Sequence, residues 1–319
     1  MRYVVLGAGA VGGVIGARLH LAGVPTTLVA RGAHLDRVRD QGGMVLDTAD
    51  GRLLADAPVA GSAAGVAWTD DTVVLLAVKS HQTPAALDDL VAHAPPSTPV
   101  VCAQNGVANE AVVLRRMERT YGMCVMLPST HLEPGAVVQK CHPVPGILDL
   151  GRFPTGSDEV AEAVAADLQR AGFESVPRPD IMAWKHRKLL MNVGNGVDAA
   201  CLPDGDAEKL ADLARDEGER VLAAAGIPVV TDAEDRARRG DTLRRRTDRP
   251  PAGGSTWQSL TRGLGTVETD YLAGEIVLLG RLHGIPTPVN ALVQQVTADL
   301  ARRRGPARSI PAADLLARL

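Results

Sequence analysis

Two stretches of the chain carry residue types at spacings that suit chemistry. The first is Gly7-Ala8-Gly9-Ala10-Val11-Gly12, directly after the apolar run Arg2–Leu6 and directly before an apolar-periodic stretch reaching about Ala22. A second apolar run, Thr26–Ala30, follows. Strand, glycine loop, helix and second strand in that order are what a dinucleotide-binding loop requires. Gly7 permits the tight turn, Gly9 lets a pyrophosphate approach the backbone, and Gly12 lets the helix lie against the strand. The helix start offers free N–H groups and a partial positive charge to the phosphates. The chemistry predicted for residues 7–12 is binding of a nicotinamide dinucleotide.

The end of the second strand chooses the cofactor. An NAD site there usually carries an acid for the ribose 2′-hydroxyl. This chain reads Thr27-Leu28-Val29-Ala30-Arg31-Gly32, without an acid. A guanidinium can pair with a 2′-phosphate in bidentate fashion, so NADPH is expected. Lys79 follows the apolar strand Thr72–Val78, and Asn105, within Gln104-Asn105-Gly106, follows the strand Val100–Ala103. Strand carboxyl ends form the ligand crevice in such sheets, which suits Lys79 to a phosphate and aims Asn105 at the crevice. Asn-Gly is also an ordinary turn pair.

The second stretch is Trp184-Lys185-His186-Arg187-Lys188-Leu189-Leu190-Met191-Asn192-Val193-Gly194-Asn195. On a helix turning about 100° per residue, Lys188, Asn192 and Asn195 fall within an arc of roughly 60°. An ammonium and two amides on an otherwise apolar face need partners; a bound substrate is one, backbone groups at a helix end are another. Lys185, three residues before Lys188, shares that face, and spacing alone does not choose between them.

These groups need a scaffold. Apolar strands alternate with helices up to about residue 180, which predicts a parallel sheet with right-handed crossovers. Asp50-Gly51 predicts a hairpin between Met44–Leu46 and Arg52–Leu54, residues 136–151 a second hairpin, and Asp158–Ala171 an amphipathic helix. Strand signals then vanish, and helices are predicted near 181–200, 206–225, 231–246, 267–283 and 288–303. The expected fold is α/β: a Rossmann-type parallel-sheet domain over 1–180 that binds NADP, then an all-helical substrate and catalytic domain over 181–319.

Composition narrows the class. The 319 residues are 45% hydrophobic and 22% charged, with net charge −3. No basic domain stands out, so a nucleic-acid partner is not expected. The run Arg236 to Arg249 holds seven arginines, diluted by Glu234, Asp235, Asp241 and Asp248, and reads as a solvated surface segment. Cys102, Cys124, Cys141 and Cys201 form no CxxC pair and no cluster with metal spacing, so free thiols in a reducing cytoplasm, and no metal, are expected. The first strand begins at the N-terminus and no apolar run approaches the ~18 residues that cross a membrane. The expected partners are a small molecule and, at most, a second copy of the chain.

The ordered set Gly7-x-Gly9-x-x-Gly12, Arg31, Ala77-Val78-Lys79-Ser80, Gln104-Asn105-Gly106, Lys188-Leu189-Leu190-x-Asn192, Gln258, Val267-Glu268-Thr269-Asp270-Tyr271 and Gly284-Ile285-Pro286-Thr287-Pro288-x-Asn290 resembles the ketopantoate reductase family over essentially the whole chain. The resemblance implies a dinucleotide domain followed by a helical domain, with the active site in the cleft between them. It implies NADPH-dependent reduction of 2-dehydropantoate to D-pantoate, a step of pantothenate biosynthesis toward coenzyme A. It makes Lys188 the catalytic lysine and Glu268 the active-site glutamate. It gives cofactor phosphate to Arg31 and Lys79, nicotinamide and substrate to Asn105, and substrate to Asn192 and Ser255. Where the family pattern has a second asparagine, four residues after the first, this chain has Gly196, and Asn195 stands one residue early. Three other readings stay open: a related reductase acting on a different 2-keto acid, a two-domain dehydrogenase of 3-hydroxyacids or glycerol phosphate drawing on Lys185 and Arg187, and a non-catalytic NADP-sensing protein.

Overall fold

A computed structural model describes residues 1–248 and 253–319, so Arg249, the last of the basic run, lies outside the described residues. The chain forms two compact units. The first comprises Met1–Asn105, Asn109–Lys185 and the described part of Ala233–Arg249; the second comprises Gly106–Ala108, His186–Asp232 and the described part of Pro250–Leu319.

The strands of the first unit are β1 (Arg2–Leu6), β2 (Thr26–Val29), β3 (Met44–Thr48), β4 (Gly51–Ala55), β5 (Val59–Ala60), β6 (Thr72–Leu76), β7 (Val100–Cys102), β8 (Thr120–Met126), β9 (Ser129–Thr130), β10 (Ala136–Gln139) and β11 (Ile147–Arg152). Its helices are α1 (Ala10–Leu21), α2 (Gly32–Asp40), α3 (Thr83–Val91), α4 (Asn109–Leu114) and α5 (Glu159–Arg170). A seven-stranded sheet runs β11-β8-β7-β6-β1-β2-β5. All its pairings are parallel except β11 with β8.

Both faces of this sheet are covered, which is why every residue of β6 and β8 is buried, without the alternation of a half-exposed strand. Along β1, Tyr3 and Val5 pack with Ile15 and Leu19 of α1 and with Val164 and Leu168 of α5. Val4 and Leu6 point the other way, to Leu87 and Leu90 of α3 and Val113 of α4. A second sheet, β4-β3-β10-β9, carries the predicted hairpin around Asp50-Gly51.

The predicted hairpin over 136–151 does not form. β10 pairs in parallel with β3 in the small sheet, whereas β11 joins β8 in the large one. The arginine run is also not a free solvated segment. Arg238 grips the buried Asp149 through both carboxylate oxygens at 2.8 Å, and Arg246 reaches Asp47 Oδ1 and Gln139 O, each at 2.9 Å. Their side chains are only 16% and 4% exposed. Removing either carboxylate would leave a poorly hydrated cation, so these pairs fix the returning segment to the first unit.

Helix α6 (Ile181–Asn192) contributes Ile181–Lys185 to the first unit and the rest to the second. The predicted helix over 181–200 breaks at 193–194, after which come α7 (Asn195–Ala200) and α8 (Gly205–Ala224). Next is α9 (Asp232–Arg239), shorter than the helix predicted over 231–246. The second unit continues with α10 (Ser255–Thr261), α11 (Ala273–His283), α12 (Pro288–Arg302) and α13 (Ala312–Leu316). Its core joins Leu190, Val193, Leu210, Val221, Ile276 and Val293. Glu217 is buried there and accepts from Val289 N–H, Asn290 N–H and Asn290 Nδ2, each at 2.9 Å, which caps α12. Asn290, the last residue of the quoted pattern, thereby has a structural task. The four cysteines are buried and free, and among the described residues no helix is long and apolar enough to cross a membrane.

One pH dependence arises from the sheet itself. Burial, with a hydrogen bond to Asp158 at 2.8 Å, pushes the Tyr121 hydroxyl up to about 12. Burial and Asp167 push Tyr3 upward likewise. An unfolded tyrosine loses its proton near pH ~10, so this stability is complete below that value and is lost as pH rises toward the folded value. The thermal midpoint should therefore fall above pH ~10, and Tyr121→Phe should make that fall shallower. Melting curves across this range check it; an unchanged slope would contradict it.

Candidate active site

Strands β7, β6, β1 and β2 are neighbours, and their carboxyl ends deliver Asn105, Lys79, the glycine loop and Arg31 to one edge of the large sheet. The loop itself is shaped by packing. Gly7 has φ +106°, and a Cβ there would lie 2.7 Å from Val78 N. A Cβ at Gly12 would strike Gly7 O and lie 2.9 Å from Ala77 Cβ. The N–H groups of Gly7 and Ala8 both bond to Val29 O, at 3.2 and 3.0 Å.

Gly9 differs. It precedes Ala10 and Val11 as the N-cap of α1, makes no side-chain cap, and a Cβ on it would meet only His131 Nδ1, at 3.9 Å. The protein's own packing demands glycine at 7 and 12 but leaves the approach to Gly9 open. An open approach over a twelve-residue helix start suits a dinucleotide pyrophosphate.

Two histidines flank this loop, and sequence reasoning missed both because no motif or spacing announces them. His34 Nδ1 accepts from Gly135 N–H at 2.9 Å, so Nε2 carries the proton and donates to Ala8 O at 2.8 Å. His131 lies against it, with ring centroids 4.2 Å apart.

Arg31 is the N-cap residue of α2. Its side chain is 62% exposed and touches Asp89 at 3.5 Å, a weak surface pairing. Lys79 is half-buried and opens the short turn Ser80–Gln82, with Gln82 N–H donating to Lys79 O at 2.7 Å. Asn105 is half-buried, and its carbonyl accepts from Asn109 Nδ2 at 3.4 Å.

The two candidate lysines of α6 have different surroundings. The Lys185 ammonium donates to Gln104 O at 2.8 Å and Met123 O at 3.0 Å, and lies 2.9 Å from Glu110 Oε1. The Lys185 and Glu110 side chains are 2% and 0% exposed. Lys185 is thus committed within the first unit. Arg187 is committed too, to Val230 O at 2.7 Å and Asp232 at 3.0 Å. These were the cations on which a phosphate-bearing substrate depended, and neither is placed to serve one.

In the second unit, Lys188 is half-buried and Asn192, one turn later on α6, is buried. Asn195 starts α7 instead of continuing that helix. Its Oδ1 lies 3.4 Å from where a Gly254 Cβ would stand, beside the turn into Ser255. Gly254 N–H donates to Asp198 Oδ2 at 3.0 Å, and Arg308 holds Asp198 at 2.7 Å. The Gly254 N–H, one residue before Ser255, is therefore taken by Asp198.

Gly196 has a physical cause. A Cβ there would lie 2.6 Å from Val293 Cγ1 and 2.8 Å from Thr297 Oγ1 on α12. No asparagine fits at 196, and the chain carries its amide at 195. Glu268 is buried ahead of the turn Thr269–Tyr271, and Tyr271 N–H donates to its carbonyl at 2.9 Å. Gly106, with φ +78°, packs where a Cβ would lie 2.9 Å from Tyr271 O.

Comparison with known proteins covers both units. Residues 3–155 match the family described as ketopantoate reductase PanE/ApbA, and residues 180–301 match its C-terminal part. The 2-dehydropantoate 2-reductase of Pyrococcus horikoshii is 27% identical over 304 residues, covering 92% of this chain and 95% of that protein. The crystal structure of a PanE/ApbA family ketopantoate reductase from Ralstonia eutropha JMP134 superposes with TM-score 0.78 at 25% identity, covering 95% of this chain and 99% of that one. A D-mandelate dehydrogenase bound to NADH and anilino(oxo)acetate shares the fold, with TM-score 0.80 at 21% identity over 95% of this chain and 99% of that one.

Proposed function

This chain belongs to the ketopantoate reductase family, and on that premise we propose that it uses NADPH to reduce a short 2-keto acid, 2-dehydropantoate first among them, with Lys188 as the proton donor. The observation that carries the assignment is Lys185. Its ammonium is occupied by Gln104 O, Met123 O and Glu110, so the proton donor of α6 is Lys188, one turn further on.

The nicotinamide, when bound, supplies the hydride. Residues 7–12 take the pyrophosphate, with the open face of Gly9 toward it. Arg31 and Lys79 take cofactor phosphate, and Asn105 orients both nicotinamide and substrate. Lys188 stabilises the negative charge that develops on the substrate's carbonyl oxygen and then gives that oxygen a proton. Ser255 binds the substrate carboxylate, and Glu268, Asn192 and Asn195 the substrate hydroxyl. Reduction thereby ends at a 2-hydroxy acid, D-pantoate from 2-dehydropantoate.

NADPH should be preferred to NADH. Arg31 stands where an acid would otherwise meet the ribose, and its contact with Asp89 is weak enough to yield to a phosphate. A charge-assisted bond of this kind is worth about 1.5–3 kcal/mol, or roughly tenfold to a hundredfold in affinity. Arg31→Ala should erase most of the preference and leave NADH kinetics nearly unchanged. Steady-state rates with both cofactors check this, and equal use of the two by the unmodified protein would sink it.

A second reading, a 2-keto acid other than 2-dehydropantoate, is favoured by one observation: packing against Val293 and Thr297 denies the chain an asparagine at 196. A screen of 2-keto acids, following NADPH oxidation, tests both readings. Turnover of none of them would overturn the reductase assignment.

A further inference from the structure

The loops after β6 and β7 rest on a buried polar lattice that no step above uses. Gln104 Nε2 donates to Val78 O at 2.8 Å and to Thr83 Oγ1 at 2.9 Å. Thr83 donates to Asn109 Oδ1 at 2.8 Å. Asn109 Nδ2 in turn reaches Ser80 Oγ at 3.1 Å and Asn105 O at 3.4 Å. The residues on either side of Lys79 and the peptide of Asn105 are thereby tied to one another.

The peptide joining Gln104 to Asn105 has one more tie, the Lys185 ammonium on Gln104 O. To reach it the lysine stem crosses β8 at Gly122, where a Cβ would lie 3.2 Å from Lys185 Cδ. Glu110, wholly buried, supplies the counter-charge. A buried ion pair is poor stabilisation: apolar residues of similar volume often serve as well or better. What the apolar pair cannot supply is donors for the Gln104 and Met123 carbonyls.

We infer that Lys185 is a positioning residue: neutralised by Glu110, it clamps the Gln104 carbonyl and so holds Asn105 at the carboxyl end of β7. The inference rests on the binding role given above to Asn105.

The test is a cycle on the intact chain, with NADPH affinity read by its fluorescence and the thermal midpoint read in parallel. The variants are Asn105→Ala, the double variant Lys185→Met/Glu110→Leu, which leaves no lone buried charge, and all three changes together. Asn105→Ala and the double variant should each raise the NADPH Kd by about two- to tenfold. Because both act through Asn105, the triple variant should exceed the larger effect by no more than about twofold. A triple variant showing the full product of the two effects overturns the inference while leaving the reading of Asn105 intact. An Asn105→Ala chain that binds both NADPH and keto acid normally removes that reading, and the inference with it. Lys185→Gln/Glu110→Gln guards against a double variant that does not fold. It strands no buried charge and keeps an amide donor for Gln104 O, so its Kd should stay within about twofold of the unmodified value. A loss matching that of Asn105→Ala would overturn the clamp.

Discussion

Lys188→Ala is expected to lower kcat by about 10²–10⁴-fold, the usual cost of losing a general acid. Thermal stability and NADPH affinity should stay close to those of the unmodified chain, because Lys188 is half-buried on α6 and is given no part in holding the cofactor. The control is its neighbour. Lys185→Ala strands the Glu110 carboxylate, which is 0% exposed. Breaking a buried pair from one side typically costs about 3–5 kcal/mol, so that variant should melt early whatever its chemistry. Steady-state kinetics and melting curves on both proteins separate the roles. If Lys188→Ala turns over within about tenfold of the unmodified enzyme, a smaller loss than general acids show, Lys188 is not the donor.

The second large effect concerns the substrate's hydroxyl. 2-Dehydropantoate joins a ketone, a carboxylate and an alcohol on one short branched skeleton; 2-ketoisovalerate lacks the alcohol. A site built to bond a hydroxyl rejects the analogue without it, because its own polar groups lose a partner on binding. Glu268 and Asn192 are both buried, where such a loss is felt most. The kcat/KM ratio should favour 2-dehydropantoate by about 10²-fold or more. Asn195 stands near the Gly254–Ser255 turn, so Asn195→Ala should narrow the ratio by about tenfold. Equal reduction of both acids by the unmodified enzyme would assign it a different 2-keto acid.

What could be read from the sequence was local. The glycine loop, the apolar strands of the large sheet and the α5 helix are written in neighbouring residues, and the structure contains them. What could not be read depends on distant partners. Residues 136–151 have strand character, but nothing in them says that β10 belongs with β3 and β11 with β8. The arginine run looks solvated until Arg246 meets Asp47, 199 positions earlier in the chain. Lys185 and Lys188 share a helical face, and spacing could not separate them. Gln104 O, 81 positions before Lys185, does. The arc drawn through Asn195 assumed one helix, whereas Asn195 starts a second one after the break at 193–194. Gly196 looked like a departure from a pattern; packing on α12 explains it.

The most direct measurement is to mix the unmodified protein with NADPH and 2-dehydropantoate, follow NADPH consumption, and quantify the hydroxy acid formed. One pantoate per NADPH consumed, at a rate abolished by Lys188→Ala, is the expected result. Tight NADPH binding with no consumption above the protein-free blank would contradict a reductase and leave a protein that only senses the cofactor.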